Sequence, residues 1–249
     1  MKFYRAVFIC FLAFTSVLHA DERILKVAVS AYEPPFVIQE SNNKFYGFDI
    51  ALIEAICRSI NYRCQYIPMP FSRLLPAIES NQVDMAVGSI FITPERANRV
   101  LFSSPYFLSR LRFLVRGATK DGSLNAQAFA GRNIGVTNTS FTAPLKQWGV
   151  KNSQIVNYKQ EDALVKALNN GYIQFALLDN STAVYWHQNS SGNLKVFGPP
   201  IIFGYGVGIA ISPKNAALVS PINEALLKYQ NSPGFTLNFH KYLAAIYDF

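Results

Sequence analysis

Arg96 has sequence surroundings that fit the binding of an anionic group. Thr93 suits the N-cap of a helix, and Pro94 suits its first position. A cation in the first turn opposes the helix macrodipole, and it becomes favourable when a carboxylate lies between the guanidinium and the free N–H groups. The pattern therefore indicates a carboxylate-binding arginine. The alternative is a surface arginine paired with Glu95 or Asp49.

Asp179 is the second charged candidate, and a comparison of the two halves of the chain locates it. Without a gap, residues 77–89 (AIESNQVDMAVGS) align with residues 167–179 (ALNNGYIQFALLD). Each segment predicts a helix end, a polar turn and a buried strand, so Ser89 and Asp179 come directly after equivalent strands. Open α/β sheets bind ligands at that end of their parallel strands. A chance similarity of two ordinary helix–turn–strand units is the alternative.

A hydroxyl-rich turn follows another predicted strand in the second half. The strand ends near Thr137, and the turn ahead of Pro144 consists of Asn138, Thr139, Ser140, Phe141 and Thr142. Such a turn at the start of a helix can offer backbone N–H groups to an anion. We therefore expect it to lie opposite Arg96 as a second set of ligand contacts.

Strands alternate with helices along the chain, which predicts the fold class α/β with mostly parallel sheets. We expect strands over 24–30, 65–68, 84–89, 133–137, 154–158 and 174–178, and helices over 49–60, 73–79, 143–148 and 161–169.

The composition narrows the classes of function. With 249 residues, half of them apolar, the chain can bury a core in each of two lobes. The formal net charge is +8, but the basic residues are not clustered: Arg110, Arg112 and Arg116 alternate along one face of a predicted strand. Nucleic-acid binding would require a basic stripe with exposed aromatic residues, so we do not expect it.

The N-terminus predicts export. Lys2 and Arg5 precede an apolar stretch that ends at Ala20, which is typical of a secretory signal peptide over 1–20 and too short for a transmembrane helix. In an oxidising compartment the two remaining cysteines, Cys57 and Cys64, indicate a disulfide; two free buried thiols are the alternative. His187 and His240 provide too few ligands for a metal site, so we expect no metal.

Five motifs in a fixed order resemble the family 3 solute-binding proteins, the periplasmic receptors of polar amino-acid ABC importers. They are AYEPPF (31–36), FYGFDIALIEAIC (45–57), PFSRLLPAIESNQVDMAVGSIFITPER (70–96), FSSPYF (102–107) and ALLD (176–179). The spacing of the two cysteines is similar to that of the arginine and lysine/arginine/ornithine subgroup. The resemblance implies a two-lobed, type II periplasmic binding protein fold whose lobes are joined by two crossing strands. We place lobe 1 at 21–111 plus 203–249 and lobe 2 at 112–202.

The resemblance also implies a role for individual residues. Arg96 would bind the ligand α-carboxylate, Asp179 would pair with the α-ammonium, and Phe71 would stack against the side chain. Ser89 would offer its backbone carbonyl and its hydroxyl. Backbone N–H donors would come from Phe91, Ser140, Phe141 and Thr142.

The sequence departs from the basic-amino-acid pattern at two positions. Ser30 stands where those receptors carry an acidic residue after the first strand, and Phe91 stands where they have a small hydroxyl or acidic residue. Glu33 is in the same loop as Ser30 and can replace the missing carboxylate, or it can be a solvated loop acid. The aromatic residues near the cleft suit a stacked guanidinium and equally suit an apolar or aromatic side chain.

The resemblance predicts a monomeric periplasmic receptor that captures an L-α-amino acid, leaning to basic or polar side chains such as arginine, and delivers it to an inner-membrane ABC permease. It implies no cofactor and no catalysis. The main alternative is a prephenate or arogenate dehydratase on the same fold, with Glu33 as general acid. Asp179 favours amino-acid binding over prephenate.

Overall fold

The computed structural model describes residues 23–117 and 122–244, and the predicted signal peptide at 1–20 lies outside them. Within these ranges the strands are β1 (Ile24–Ser30), β2 (Tyr32–Glu33), β3 (Val37–Gln39), β4 (Phe45–Tyr46), β5 (Arg63–Met69), β6 (Met85–Val87), β7 (Leu101–Phe102), β8 (Arg110–Arg116), β9 (Ile134–Val136), β10 (Ile155–Asn157), β11 (Phe175–Asp179), β12 (Leu194–Ile202) and β13 (Ala210–Ile211).

The α-helices of the same ranges are α1 (Phe48–Ser59), α2 (Phe71–Glu79), α3 (Pro94–Ala97), α4 (Ala126–Phe129), α5 (Thr142–Lys146), α6 (Glu161–Asn169), α7 (Asn180–Gln188), α8 (Val219–Gln230) and α9 (Pro233–Tyr242). Short 3-10 helices cover Thr139–Phe141, Asn152–Gln154 and Pro213–Leu218. None of these helices is long and apolar enough to cross a membrane.

Lobe 1 is built on a five-stranded sheet in the order β5-β1-β6-β13-β7. Strand β1 pairs in parallel with β5 and β6, whereas β13 pairs antiparallel with β6 and β7. Since β13 comes from the far end of the chain, this sheet combines both ends of the sequence. Helices α1, α8 and α9 pack together beside it.

Lobe 2 is built on a second five-stranded sheet in the order β10-β9-β11-β8-β12. Strands β10, β9 and β11 are parallel, and β8 runs antiparallel to both β11 and β12. All five strands lie between Arg110 and Ile202, so the chain enters the sheet at β8 and leaves it at β12. The lobe boundaries near 111/112 and 202/203 stay a proposal, which this topology supports.

Each lobe has a hydrophobic core of its own, and the central strands of its sheet are buried on both faces. Strand β6 and strand β11 are buried at every residue. In lobe 2, Phe113, Phe129 and Phe175 form an aromatic group whose ring centroids are 5.0 to 5.6 Å apart. At the C-terminal ends of these buried strands, Asp179 is the last residue of β11 and Ser89 lies two residues after β6.

The two cysteines form a disulfide, as the sequence predicted, and the alternative of two free thiols is wrong. Cys57 in α1 and Cys64 in β5 have Cα atoms 6.0 Å apart. The bridge connects the last turns of a helix to the strand that follows it.

A small third sheet, β2-β3-β4, extends lobe 1 toward lobe 2. Strand β2 packs against α6 of lobe 2, and the Tyr32 and Trp186 rings lie 6.1 Å apart. The Thr182 hydroxyl of α7 donates a 3.0 Å hydrogen bond to the Pro34 carbonyl. These contacts bring the two lobes together along one side of a cleft.

Candidate ligand-binding cleft

Arg96 lies in the short helix that its neighbours predicted. Thr93 is the N-cap of α3, its hydroxyl accepts a 3.3 Å hydrogen bond from the Arg96 backbone N–H, and Pro94 occupies the first helical position. The Arg96 side chain turns inward, and only 3% of the residue is exposed. Among the described residues it forms no salt bridge with Glu95 or Asp49, so the alternative of a paired surface arginine is wrong.

The contacts that hold the guanidinium of Arg96 do not include a carboxylate. Its Nη1 donates to the Phe91 carbonyl at 2.9 Å, and its carbon lies 5.7 Å from the centroid of the Phe71 ring. Its Nε has no hydrogen-bond partner in the part of the chain that the structure describes. Burial lowers the pKa of Arg96 to about 10, so the group remains a cation at neutral pH.

A cavity of about 160 Å³ adjoins this guanidinium, and residues of both lobes line it. Lobe 1 contributes Phe71 and Arg96, and lobe 2 contributes Asn138 and Ser140. The Asn138 side-chain nitrogen is buried, and no described residue accepts a hydrogen bond from it. The cavity is therefore lined by the unpaired cation of Arg96, and also by Glu95 and by Arg99, which is paired with Glu79.

The predicted hydroxyl-rich turn forms a 3-10 helix that uses its own backbone donors. The Ser140 N–H donates to the Asn138 side chain at 3.0 Å, and the Phe141 N–H donates to the Asn138 carbonyl at 3.0 Å. The Thr142 N–H donates to the carbonyls of Thr139 and Ser140. In this geometry the turn brings Ser140 to the cavity, and the ligand contacts predicted for the three N–H groups stay a prediction.

Phe91 lies next to Arg96, and its carbonyl and its ring have different partners. Its carbonyl accepts from Arg96, and its fully buried ring packs at 5.6 Å from Phe141 and 5.4 Å from Phe203. Since Phe91 belongs to lobe 1 and Phe141 to lobe 2, the aromatic cluster joins the lobes beside the cavity. The role predicted for the Phe91 N–H as a ligand donor stays a prediction.

Ser89 lies at the end of β6 in a turn that Asp49 holds. The Gly88 and Ser89 N–H groups each donate to Asp49 Oδ2 at 2.9 Å, and Ser89 has a positive φ of 50°. The Ser89 hydroxyl is buried, and none of the described residues bonds to it. Asp49 was not predicted as a functional residue, although its place in the first turn of α1 after Gly47 was visible in the sequence.

Asp179 ends β11 and caps α7, so its carboxylate is fixed in two ways. Its Oδ1 accepts from the Ser181 N–H at 2.8 Å and the Thr182 N–H at 3.4 Å, and its Oδ2 accepts from the Ser109 hydroxyl. Burial raises the pKa of Asp179 to about 6, although these hydrogen bonds act in the opposite direction. Within the described residues the carboxylate has no cation beside it in a salt bridge.

Glu33 is 8% exposed, so the alternative of a solvated loop acid is wrong. The Ser30 hydroxyl, at the end of β1, donates to it at 3.4 Å. Glu161, the first residue of α6, lies close enough to Glu33 for the two carboxyls to affect each other's pKa. Glu161 is 1% exposed and accepts from the Trp186 indole N–H at 2.6 Å.

Glu161 was not predicted, because an acidic residue at the first position of a helix is usually a solvated partner of the macrodipole. Burial is the main cause that raises the pKa of both Glu33 and Glu161, and their mutual repulsion raises that of Glu161 further. Both carboxyls are therefore protonated more readily than a free glutamate.

The buried cation and the buried carboxyls thus form separate groups. Arg96 stands with Phe71 and Ser140 at the cavity, while Asp179 lies close enough to Glu33, Glu161 and Asp49 to raise their pKa values. Such an arrangement can bind a molecule that is anionic at one end and cationic at the other.

Residues 25–245 match the family described as bacterial extracellular solute-binding proteins, family 3. The chain belongs to this family. Its relatives include ABC transporter arginine-binding protein 1 of Escherichia coli K12, which is 30% identical over 86% of this chain and 88% of its own. The histidine-binding periplasmic protein of the same strain is 26% identical over 86% of each chain.

Among solved structures, the family 3 fold is shared with an arginine transport periplasmic binding protein from Legionella pneumophila. The two structures superimpose with a TM-score of 0.81 at 26% identity, over 89% of this chain and all of the other. The fold of this family 3 protein is therefore the two-lobed type II fold of periplasmic amino-acid binding proteins, and its relatives named above are binding proteins rather than enzymes.

Proposed function

We propose that this protein is the receptor of an amino-acid importer, which captures an L-α-amino acid between its lobes and delivers it to an inner-membrane ABC permease. The observation that carries the proposal is the pair of buried, unneutralised charges, Arg96 and Asp179, on elements of opposite lobes. Buried charges are costly unless they are paired. The carboxylate and the ammonium of an amino acid would neutralise both.

The related proteins support this proposal, because the name of one gives arginine as its ligand and the name of the other gives histidine and the periplasm. Export of this chain through the predicted signal peptide at 1–20 belongs to the same proposal. So do the monomeric state and the absence of catalysis. Arg96 would bind the α-carboxylate, helped by Ser140 and Asn138, and Asp179 would bind the α-ammonium.

Thermal unfolding in the presence of single ligands tests the ligand class. A ligand at about 100 times its dissociation constant adds about 2.7 kcal/mol to the free energy of unfolding. We expect at least one L-α-amino acid to raise the melting temperature, and we expect prephenate to leave it unchanged. A shift by prephenate alone, with turnover to phenylpyruvate, would favour the dehydratase.

Calorimetric titration of Arg96→Ala and Asp179→Asn tests the site. Each variant leaves one ligand charge buried without its partner, which typically weakens binding between about 30-fold and several thousand-fold. The asparagine keeps an oxygen at the N-cap of α7 and removes only the charge. Because the α-groups are common to all amino acids, the loss should be similar for every ligand that binds.

The matched controls are Arg73→Ala on α2 and Asp162→Asn on α6, which change exposed residues of the same lobes. Both should bind like the wild type. If Arg96→Ala or Asp179→Asn bound within threefold of wild type while folded, the corresponding contact would have to be reassigned.

A further inference from the structure

A second cavity, of about 450 Å³, lies where the chain crosses between the two sheets, and it shares no lining residue with the cavity beside Arg96. Residues within 107–110, 180–181 and 200–206 line it. The first range leads from β7 into β8, the second begins α7, and the third leads from β12 toward β13. We call it the junction cavity, and its volume is in the range of about 300–1,000 Å³ that is typical of small-molecule sites.

Two polar side chains at the start of α7 line the junction cavity and lack hydrogen-bond partners. The Asn180 Oδ1 is buried and accepts no hydrogen bond from a described residue. The same holds for the Ser181 Oγ, whose residue is 1% exposed. Buried polar atoms cost free energy unless they are hydrogen-bonded. Since both residues line the cavity, a molecule bound there can supply the missing partners.

The missing partner is a hydrogen-bond donor. The amide oxygen of Asn180 can only accept. The Ser181 hydroxyl lies close enough to Asp179 to favour the ionised form of that carboxylate, so its proton points toward Asp179 and its lone pairs remain free. An ammonium group carries three N–H donors and no acceptor. One ammonium group therefore has enough donors for both oxygens.

The buried charge next to these two oxygens is negative. Asp179 accepts hydrogen bonds from the Ser181 N–H and the Ser109 hydroxyl, and no described cation forms a salt bridge with it. Its full negative charge exceeds the roughly half positive charge that the helix dipole places at this end of α7. Arg110 also lines the cavity, but it is exposed, so water and salt screen its charge. The start of α7 therefore favours a cation.

Apolar side chains line the other side of the junction cavity. Leu108 is 79% exposed and Ile202 is 81% exposed, and the two belong to different crossing segments. Pro200 and Phe203 lie beside them in the lining. Removal of apolar surface from water favours binding roughly in proportion to its area. An apolar ligand body would therefore gain most by covering these exposed side chains.

We propose that the junction cavity binds a small amphipathic amine, whose ammonium group donates to Asn180 and Ser181 and whose apolar body covers Leu108 and Ile202. Such a molecule would contact both crossing segments and the start of α7 without entering the cavity beside Arg96. The site goes beyond the proposed amino-acid receptor, because it requires no carboxylate on its ligand.

The test compares three probes that share an alkyl chain and differ in their polar group: n-hexylamine, 1-hexanol and hexanoate. Titration calorimetry at pH 7 measures their affinities. We expect one molecule of n-hexylamine to bind. The other two should bind at least about 10-fold more weakly, because a charged donor forms the stronger hydrogen bond and a carboxylate has no donor.

Two results of this comparison would overturn the proposal. Hexanoate that bound as tightly as n-hexylamine would show that Arg110, rather than the start of α7, attracts the ligand. No binding of n-hexylamine at millimolar concentration would show that ordered water alone satisfies Asn180 and Ser181.

Variants assign the binding to the junction cavity. The double variant Asn180→Ala/Ser181→Ala should weaken n-hexylamine by about 10-fold or more, since both acceptors are gone. Leu108→Ser should weaken it by about 3- to 10-fold through lost apolar contact. Asn189→Ala, an exposed position at the other end of α7, is the matched control and should bind like the wild type. A folded double variant that bound like the wild type would refute the site.

Amide signals in NMR spectra locate the bound amine. We expect n-hexylamine to shift the signals of Leu108, Ser181 and Gly204 and to leave those of Phe71 and Ser140 unchanged. Shifts at Phe71 and Ser140 alone would place the amine in the amino-acid cleft and overturn the junction site. Failure of every L-α-amino acid to bind would refute the proposed function without touching this result.

Discussion

At the scale of single residues, Asp49 supports the turn formed by Gly88 and Ser89. Its Oδ2 accepts the N–H groups of Gly88 and Ser89, and this holds Ser89 in its left-handed conformation at the end of β6. Asp49 is fully buried, and this burial raises its pKa to about 6. The residue therefore matters through the backbone that it orients.

Asp49→Ala should lower the free energy of unfolding by about 1–3 kcal/mol, because it leaves buried N–H donors without an acceptor. Asp49→Asn should lose less than half as much, since its side-chain oxygen can still accept both hydrogen bonds. Urea denaturation at pH 7 measures the difference. An alanine variant as stable as the asparagine variant would contradict this account of the turn.

Residue types and spacing pointed to Arg96 and Asp179, whose roles in binding stay a prediction, and could not reveal two other residues. The capping pattern around Arg96 and the strand end before Asp179 are local signals, and both side chains are buried. Glu161 and Asp49 carry no such signal, because each becomes special only through a distant partner: Glu33 in one case and the Gly88 N–H in the other.

Helices and strands whose apolar residues repeat at a regular spacing were predicted closely, and elements without such a repeat were not. Helix α6 was predicted with its observed bounds, because its apolar residues repeat at helical spacing. Helix α5 ends at Lys146, two residues before the predicted end, where the chain turns toward Gly149 with its positive φ. The strands β2 to β4 span only two or three residues each, which is too short for any period to show.

The disulfide between α1 and β5 should contribute only modestly to stability. The bridged residues are seven apart, and closing so short a loop restricts the unfolded chain by about 2 kcal/mol. The double variant Cys57→Ala/Cys64→Ala should therefore lose about that amount in chemical denaturation. A reducing agent should lower the stability of the wild type similarly and leave the double variant unaffected. Two titratable thiols in the native protein would refute the bridge.

At the scale of the whole molecule, four buried carboxyls make the ligand-free protein sensitive to pH. Glu33, Asp49, Glu161 and Asp179 all have pKa values raised by burial. The folded state therefore binds more protons than the unfolded state above about pH 4.5, and stability falls as the pH rises. Each aspartate, raised to about 6, contributes a loss of about 1 kcal/mol between pH 5 and pH 8.

We expect the melting temperature of the ligand-free protein to be lower at pH 8 than at pH 5 by at least about 4 °C. Scanning calorimetry measures this difference directly. Glu161→Gln should show a smaller decrease, because one of the titrating groups is gone. A melting temperature that stayed constant or rose over this range would show that the carboxyls are not buried in solution.

The position of β13 governs the order in which the two lobes can be completed. This strand lies between β6 and β7 in the lobe 1 sheet, yet it follows every strand of lobe 2 in the chain. Lobe 2 comes from one continuous stretch of sequence, so it can assemble by itself. The lobe 1 sheet cannot be completed before residues beyond 202 are available, and until then the edges of β6 and β7 stay unpaired. During that interval the exposed edges are the part of the molecule most open to pairing with another chain.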